Sequence, residues 1–187
     1  MKQAKIFWFT GLSGAGKTTV ADGVKSKLEA QGYKVFVLDG DQVRQKYTLP
    51  LGFSPEEIRL NNSLIARACK EQRNAYDVIL VPIISPYRES RQKARELLEA
   101  GFYEIYFSAS LECVVRRDVK GLYRKAKDGQ IENLIGFSKG ADYEPPLSPD
   151  LKIDSGKESV EESAQTLLKF IQMQTSPATC QKGQETQ

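Results

Sequence analysis

Gly11-Leu12-Ser13-Gly14-Ala15-Gly16-Lys17-Thr18 reads G-x-x-x-x-G-K-T, the pattern of a phosphate-binding P-loop. Its surroundings are those the pattern requires. Upstream, Ala4-Lys5-Ile6-Phe7-Trp8-Phe9-Thr10 is apolar and aromatic enough for a buried strand. Downstream, Val20, Val24 and Leu28 recur at the i, i+4, i+8 spacing of one helix face. Glycines at 11, 14 and 16 let the backbone curl around an anion with its N–H groups inward. The helix that follows adds the positive end of its dipole. In such a loop Lys17 reaches the β- and γ-phosphates of a nucleoside triphosphate and the Thr18 hydroxyl ligates Mg²⁺.

The first helix stops at Gln31-Gly32-Tyr33, and Lys34-Val35-Phe36-Val37-Leu38 reads as a second strand ending in Asp39-Gly40-Asp41. Residues 48–55 form a loop. Ser54 as N-cap, Pro55 as first helical residue and Glu57 at N3 make a capping box. The helix it opens runs to about residue 75, with Ile58, Leu60, Leu64, Ile65, Ala68 and Cys69 facing inward. Val78-Ile79-Leu80-Val81-Pro82-Ile83-Ile84 is a continuous apolar run, a strand buried on both faces, with Pro82 marking where ladder pairing ends. Residues 89–100 and 111–119 read as helices, 103–107 and 151–153 as strands, and 159–173 as a last helix. This alternation predicts an α/β fold, a five-stranded parallel sheet with helices on both faces, the three-layer arrangement of P-loop nucleotide kinases. Residues 1–174 are expected to form one domain with a lid at about 116–140, and residues 175–187 a flexible polar tail.

Ligands of such sheets bind beyond the carboxyl ends of the strands. The P-loop, Asp39-Gly40-Asp41 and Ser85-Pro86-Tyr87-Arg88 all follow strand ends, so three separated segments are expected to converge on one crevice. Asp39 and Asp41 beside a polyphosphate repel it unless a metal lies between them or one accepts a proton, and a phosphoryl acceptor hydroxyl needs such a base. Arg44, one helical turn beyond Asp41, reads either as a partner for a substrate phosphate or as a solvated charge. Arg88 and Arg91 share one face if a helix begins near Pro86. Residues 116–127 carry six basic side chains in twelve, read as a solvated face, as a weak nucleic-acid patch or as a mobile lid that closes over ATP phosphates.

Composition narrows the class. The 187 residues are 40% hydrophobic and 27% charged, ordinary for one folded domain. A net charge of +3 is too small to argue for a nucleic-acid polymer or a membrane surface. No apolar run approaches the ~20 residues of a membrane span, and Met1-Lys2-Gln3 leads straight into a strand without a signal peptide's apolar region. Three widely spaced cysteines, Cys69, Cys113 and Cys180, suggest neither a disulfide framework nor a zinc site. The compartment expected is a reducing cytoplasm. With no histidine in the chain, carboxylates are the natural bases.

Taken together, G-L-S-G-A-G-K-T-T, L-D-G-D-x-V-R, L-G-F-S, I-S-P-Y-R-x-x-R, R-D-V-K-G-L-Y-x-K-A and Y-E-P-P resemble the adenylylsulfate (APS) kinases, over about residues 6–153. The resemblance implies transfer of the ATP γ-phosphate to the 3′-hydroxyl of adenosine 5′-phosphosulfate, giving the sulfate donor PAPS, by a P-loop kinase that is usually dimeric. It makes Gly11, Leu12, Ser13, Gly14, Ala15, Gly16, Lys17, Thr18 and Thr19 the ATP loop, with Arg117 and Lys120 closing over the nucleotide from the lid. Thr18 and Asp39 become the Mg²⁺ side, and Asp39 and Asp41 the acid pair near the acceptor hydroxyl. Arg44, Phe53, Asn61, Ile84, Ser85 and Leu134 become acceptor contacts, Phe53 by stacking on adenine. Ser85 stands where family descriptions often place a phosphorylated serine, although direct in-line transfer needs only positioning and charge neutralisation.

This sequence also departs from the pattern. Where the family reads D-R-x-E-N-I-R-R, the chain has Glu57-Ile58-Arg59-Leu60-Asn61-Asn62-Ser63-Leu64, so the substrate-binding arginine is Ile58 unless Arg59 substitutes. The family's K-G-F-T-G-I-D is Glu132-Asn133-Leu134-Ile135-Gly136-Phe137-Ser138, so the second stacking ring is Leu134 or has moved to Phe137. The ATP side is intact and the acceptor side altered. A related kinase for another nucleotide, such as the cytidine diphosphoramidate kinases, is therefore the alternative, with a P-loop switch behind it; no N-K-x-D guanine-reading run is present.

Overall fold

The computed structural model describes residues 3–40 and 52–175. β1 (Lys5–Thr10) is followed by α1 (Lys17–Ala30), β2 (Val35–Val37), α2 (Pro55–Gln72), β3 (Val78–Val81), α3 (Arg88–Leu98), β4 (Phe102–Phe107), α4 (Leu111–Arg117), α5 (Leu122–Lys127), β5 (Leu151–Ile153) and α6 (Val160–Thr175). The five strands pair in parallel in the order β2-β3-β1-β4-β5. β1 therefore lies at the centre, and the chain crosses over it between β3 and β4.

Period-two alternation sorts the strand residues between two cores. Phe7, Phe9, Leu80, Ile105 and Phe107 face α1 and α6, packing on Val20, Val24, Leu28, Leu167 and Ile171. Ile6, Trp8, Ile79 and Val81 face α2 and α3, packing on Ile65, Cys69, Ala94 and Leu98. Each such side chain contributes about 1.5–3 kcal/mol on full burial, which is why a short β2 and β5 suffice at the sheet edges. Cys69 is a core residue, and burial pushes its thiol up to about 12. Cys113 is buried as well, while Cys180 lies outside the described residues.

The boundaries differ from expectation where side chains or special dihedrals intervene. α2 ends at Gln72 because Arg73 leaves the helix, buried, to donate to the carbonyls of Ala4, Leu98 and Ala100. Leu60, expected inward on α2, is 49% exposed; the inward stripe runs through Ile58, Asn61, Asn62, Ile65, Ala66 and Cys69 instead. β3 ends at Val81, just before Pro82. α4 stops at Arg117, since Asp118 turns to φ 26 and its carboxylate accepts from the N–H groups of Tyr123 and Arg124, capping α5. Residues 176–187, nearly all of the expected tail, lie outside the described residues.

The capping box at α2 is present in full: Ser54 Oγ accepts from Glu57 N at 3.3 Å and Glu57 Oε2 from Ser54 N at 3.0 Å. Glu57 Oε1 also accepts from Gly52 N at 2.9 Å, so the cap fixes the backbone on both sides of Phe53. Ser54→Ala is expected to lower stability by about 1 kcal/mol, seen as a lower urea midpoint at unchanged slope; an unshifted midpoint would show that the cap carries no load.

Candidate active site

The P-loop leaves β1 through Gly11, whose φ of 151 brings it so close to β4 that a Cβ would stand 2.6 Å from the Phe107 carbonyl. Gly16 takes the N-cap position of α1 in the left-handed region, with no side chain capping the helix and no acidic residue in its first turn. The first-turn N–H groups are thus left facing a site that suits an anion. Lys17 is buried here, and its Nζ donates to the carbonyls of Gly11 (2.9 Å) and Leu12 (2.8 Å). Burial, then the charge of Lys120, lower its ammonium to about 7. A polyphosphate placed against the loop supplies the missing counter-charge.

Beyond the loop opens a cleft of about 440 Å³, lined on one side by Ser13, Gly14, Gly16, Lys17, Thr18 and Thr19. Asp39 and Gly40 stand at the end of β2, and Phe53, Ile58, Asn61 and Asn62 come from the start of α2. Ile83, Ile84, Ser85 and Pro86 follow β3, and Val119, Lys120, Leu122 and Ile135 close the lid side. Asn61 is buried, and its Oδ1 has no hydrogen-bond partner among the described residues. An orphaned buried acceptor at a cleft wall is a place for a donor on a ligand.

Ser85 is held in an unusual way. Its φ is 42, in the left-handed region that disfavours a side chain, and it is almost wholly buried. Its Oγ accepts from Trp8 Nε1 at 3.0 Å. Its carbonyl accepts from Arg91 Nη1 at 2.7 Å and from Thr10 Oγ1 at 3.0 Å, the same hydroxyl lying 3.0 Å from Ile84 O. Thr10 has one proton, turned to those carbonyls, so the Tyr143 phenol at 2.8 Å is the donor to Thr10 Oγ1. Burial raises the Tyr143 pKa well above the usual phenol range, which keeps that proton in place. Gly11 N also donates to Ile84 O at 3.2 Å, tying the P-loop to the opposite wall.

The segment expected to act as a lid is anchored by Tyr123, whose hydroxyl donates to Ser13 O at 2.9 Å; burial pushes that phenol up to about 12. Of the residues expected at the site, Lys17, Thr18, Asp39, Phe53, Asn61, Ile84, Ser85 and Lys120 meet at this one cleft. Asp41 and Arg44 lie outside the described residues. Arg117, at the C-terminal end of α4, does not line the cleft. Leu134 is in the main core, packed in the cluster that holds Val114 and Tyr123, and its neighbour Ile135 reaches the cleft wall. Phe137 lies edge-on to Tyr123 at 5.6 Å rather than on the cleft. Arg59, the candidate substitute for the arginine replaced by Ile58, stacks on Tyr87 at 4.7 Å, pairs with Glu56 and Glu89 and does not line the cleft. Trp8, Thr10, Tyr123 and Tyr143 were not expected at the site. Their visible signals were a polar Thr10 closing an apolar strand and, for Tyr123 and Tyr143, the motifs R-D-V-K-G-L-Y-x-K-A and Y-E-P-P.

The adenylylsulphate kinase family model matches residues 3–154. The chain belongs to that family. Among adenylylsulphate kinases, the adenylyl-sulfate kinase of Halothermothrix orenii is 48% identical over 169 residues, covering 88% of each chain. That of Acaryochloris marina is 44% identical, covering 89% of this chain and 81% of its own. The Mycobacterium tuberculosis APS kinase, solved in complex with AMPPNP and APS, superposes with a TM-score of 0.85 at 35% identity, covering 92% of this chain and 99% of its own.

Lys17 makes the apo stability depend on pH. Its pKa is about 7 in the fold against an ordinary 10.5 in the unfolded chain. Between those values the unfolded chain binds more protons, so stability rises with pH across that window. Lys17→Met is expected to melt above wild type below about pH 7, the gap closing as pH approaches the lysine's unperturbed value. A pH-independent gap in thermal melts would contradict the buried-ammonium assignment.

Proposed function

We propose that the chain transfers the γ-phosphate of ATP to the 3′-hydroxyl of adenosine 5′-phosphosulfate, giving PAPS and ADP. The observation that carries this reading is the shared cleft: Lys17 and Thr18 line one wall, and Phe53, Asn61 and Ser85 the other. Family membership supplies the acceptor. In this reading the P-loop N–H groups and Lys17 hold the β- and γ-phosphates, and the fixed charges lower the cost of a loose transition state. The acceptor O3′–Pγ bond forms as the bond from Pγ to the β–γ bridging oxygen breaks. The hydroxyl proton passes to a carboxylate, for which Asp39 at the cleft and Asp41 are the candidates. Ser85 needs no phosphorylated state: its buried Oγ is already engaged by Trp8.

Thr18 and Asp39 offer Mg²⁺ two hard oxygen donors, and among the described residues no cluster of three metal-ligating side chains occurs. That donor set fits an ion that keeps most of its positions for phosphate and water. When bound, Mg²⁺ neutralises phosphate charge. ATP hydrolysis is suppressed in this reading by the lid bearing Lys120 and by Tyr123 anchored on Ser13. No helix among the described residues is long and apolar enough to cross a membrane. The same reading includes a homodimer, for which the family resemblance is the support and sedimentation the test.

One observation favours a second reading, a kinase for a different nucleotide. Ile58 is buried at the cleft wall among Tyr87, Ile135 and Ala141, where the resemblance calls for a guanidinium. ADP formation from Mg·ATP, measured with APS and with cytidine nucleotides including cytidine diphosphoramidate, decides between them. Turnover with APS alone is expected; turnover with a cytidine nucleotide alone would overturn the APS assignment. Lys17→Ala is expected to lower kcat on the order of 10²–10³-fold, and an unchanged rate would remove the P-loop from the mechanism.

A further inference from the structure

We infer that Arg91 is a positioning residue for the acceptor, acting through the Ser85 backbone without lining the cleft itself. The inference rests on the phosphoryl-transfer reading above. Arg91 projects from α3 and is almost wholly buried. Its planar fork is used on three sides: Nε donates to Glu104 Oε1 on β4 at 2.5 Å, Nη1 to Ser85 O at 2.7 Å and Nη2 to Glu144 O at 2.7 Å. The backbone continues the tie, with Glu144 N donating to Pro86 O at 2.9 Å. One guanidinium thus joins a central strand, the acceptor wall and the segment that carries Tyr143.

A side chain held at φ 42 persists only where its surroundings over-determine it. At Ser85 they do so from four directions: Trp8 on the hydroxyl, Thr10 and Arg91 on the carbonyl, and Gly11 on the preceding carbonyl. Trp8, Thr10 and Gly11 belong to β1 and the start of the P-loop, so the acceptor wall is registered against the phosphate loop. Arg91 is the member that reaches in from outside that strand, and it carries the charge. Lysine cannot replace it, because an ammonium is a point donor without the planar three-way fork. In-line transfer is sensitive to such offsets, a displacement near 1 Å costing on the order of 10²-fold.

The chain has a single tryptophan, Trp8, and its indole N–H sits on Ser85, so the tie has its own spectroscopic reporter. The test compares wild type, Arg91→Lys and Glu104→Gln by steady-state kinetics and by the ¹H–¹⁵N resonance of that indole. Arg91→Lys is expected to lower kcat with APS by about 10²-fold and raise KM for APS. KM for ATP and acceptor-independent ATP hydrolysis should stay within about twofold, and the apo indole resonance should shift. Glu104→Gln keeps a hydrogen-bond acceptor for Nε but removes the counter-charge of the buried guanidinium, so its kcat with APS should fall between wild type and Arg91→Lys and its indole resonance should also shift. Arg91→Lys with unchanged kcat, unchanged KM for APS and an unmoved indole would overturn the inference. So would KM for ATP and APS rising together, which marks a general loss of packing. If Arg91→Lys does not fold, Glu104→Gln decides: kcat with APS and an apo indole resonance both unchanged from wild type would overturn the inference. A wild type that ignores APS in turnover overturns the functional reading, and the apo indole comparison still judges the tie.

Discussion

The hydrogen bond from Gly11 N to Ile84 O joins the two halves of the cleft, and much of the architecture serves to keep it there. β1 and β3 are adjacent parallel strands, with Trp8 opposite Val81, so their carboxyl ends finish side by side. The P-loop leaves from one end and the acceptor wall from the other. Parallel neighbours need a crossover helix, and the two apolar faces of the sheet must be covered by helices for that register to hold. Phosphate and acceptor are thereby brought together by strand pairing rather than by a flexible hinge. Gly11 also lies against the Phe107 carbonyl of β4, so the loop is confined from both neighbouring strands.

Charge is distributed unequally across this frame. On the acceptor side Arg91 is buried with every direction of its fork satisfied, and losing one partner of such a pair costs about 3–5 kcal/mol. On the phosphate side Lys17 is buried with two carbonyls and, among the described residues, no carboxylate partner. The first arrangement favours one geometry and resists change. The second is electrostatically incomplete until an anion arrives. Binding energy from the triphosphate is then released where the reacting phosphoryl group must sit, against a wall that does not have to move.

The elements with strong periodicity or a local signature were legible from the residues alone. The P-loop, the capping box at Ser54 and Glu57, the Val78 run and the short strand at residues 151–153 all depend on neighbours in sequence, and all stand where expected. Leu60 was misplaced because its residue type suited the stripe, whereas Asn61 and Asn62 hold it for reasons of the cleft. The left-handed Ser85 could not be read, since no glycine marks it and its support comes from residues up to 77 positions away. Leu134 illustrates a different limit. A motif aligns residues but not their depth, and here the one-residue step from Leu134 to Ile135 separates core from cleft.

The acceptor wall that results is chemically mild. Ile58, Ile83, Ile84 and Ile135 give it shape, Phe53 stands 60% exposed at its edge, and Asn61 supplies an amide with an unclaimed oxygen. Among the described residues the cations of the cleft, Lys17 and Lys120, lie at the P-loop and lid. Arg59 and Arg91 are committed elsewhere, to Tyr87 and its acidic neighbours and to the Ser85 tie. In the proposed reading, what α2 offers an acceptor is therefore ring contact, aliphatic fit and hydrogen bonding to a buried amide. Discrimination by such groups is strongest when a polar partner would be left unpaired, as Asn61 would be by a ligand without a donor there. On the proposed reading, the apolar Ile58 removes an attraction to an anionic substituent, while the donor called for by Asn61 Oδ1 favours a nucleotide that can supply it.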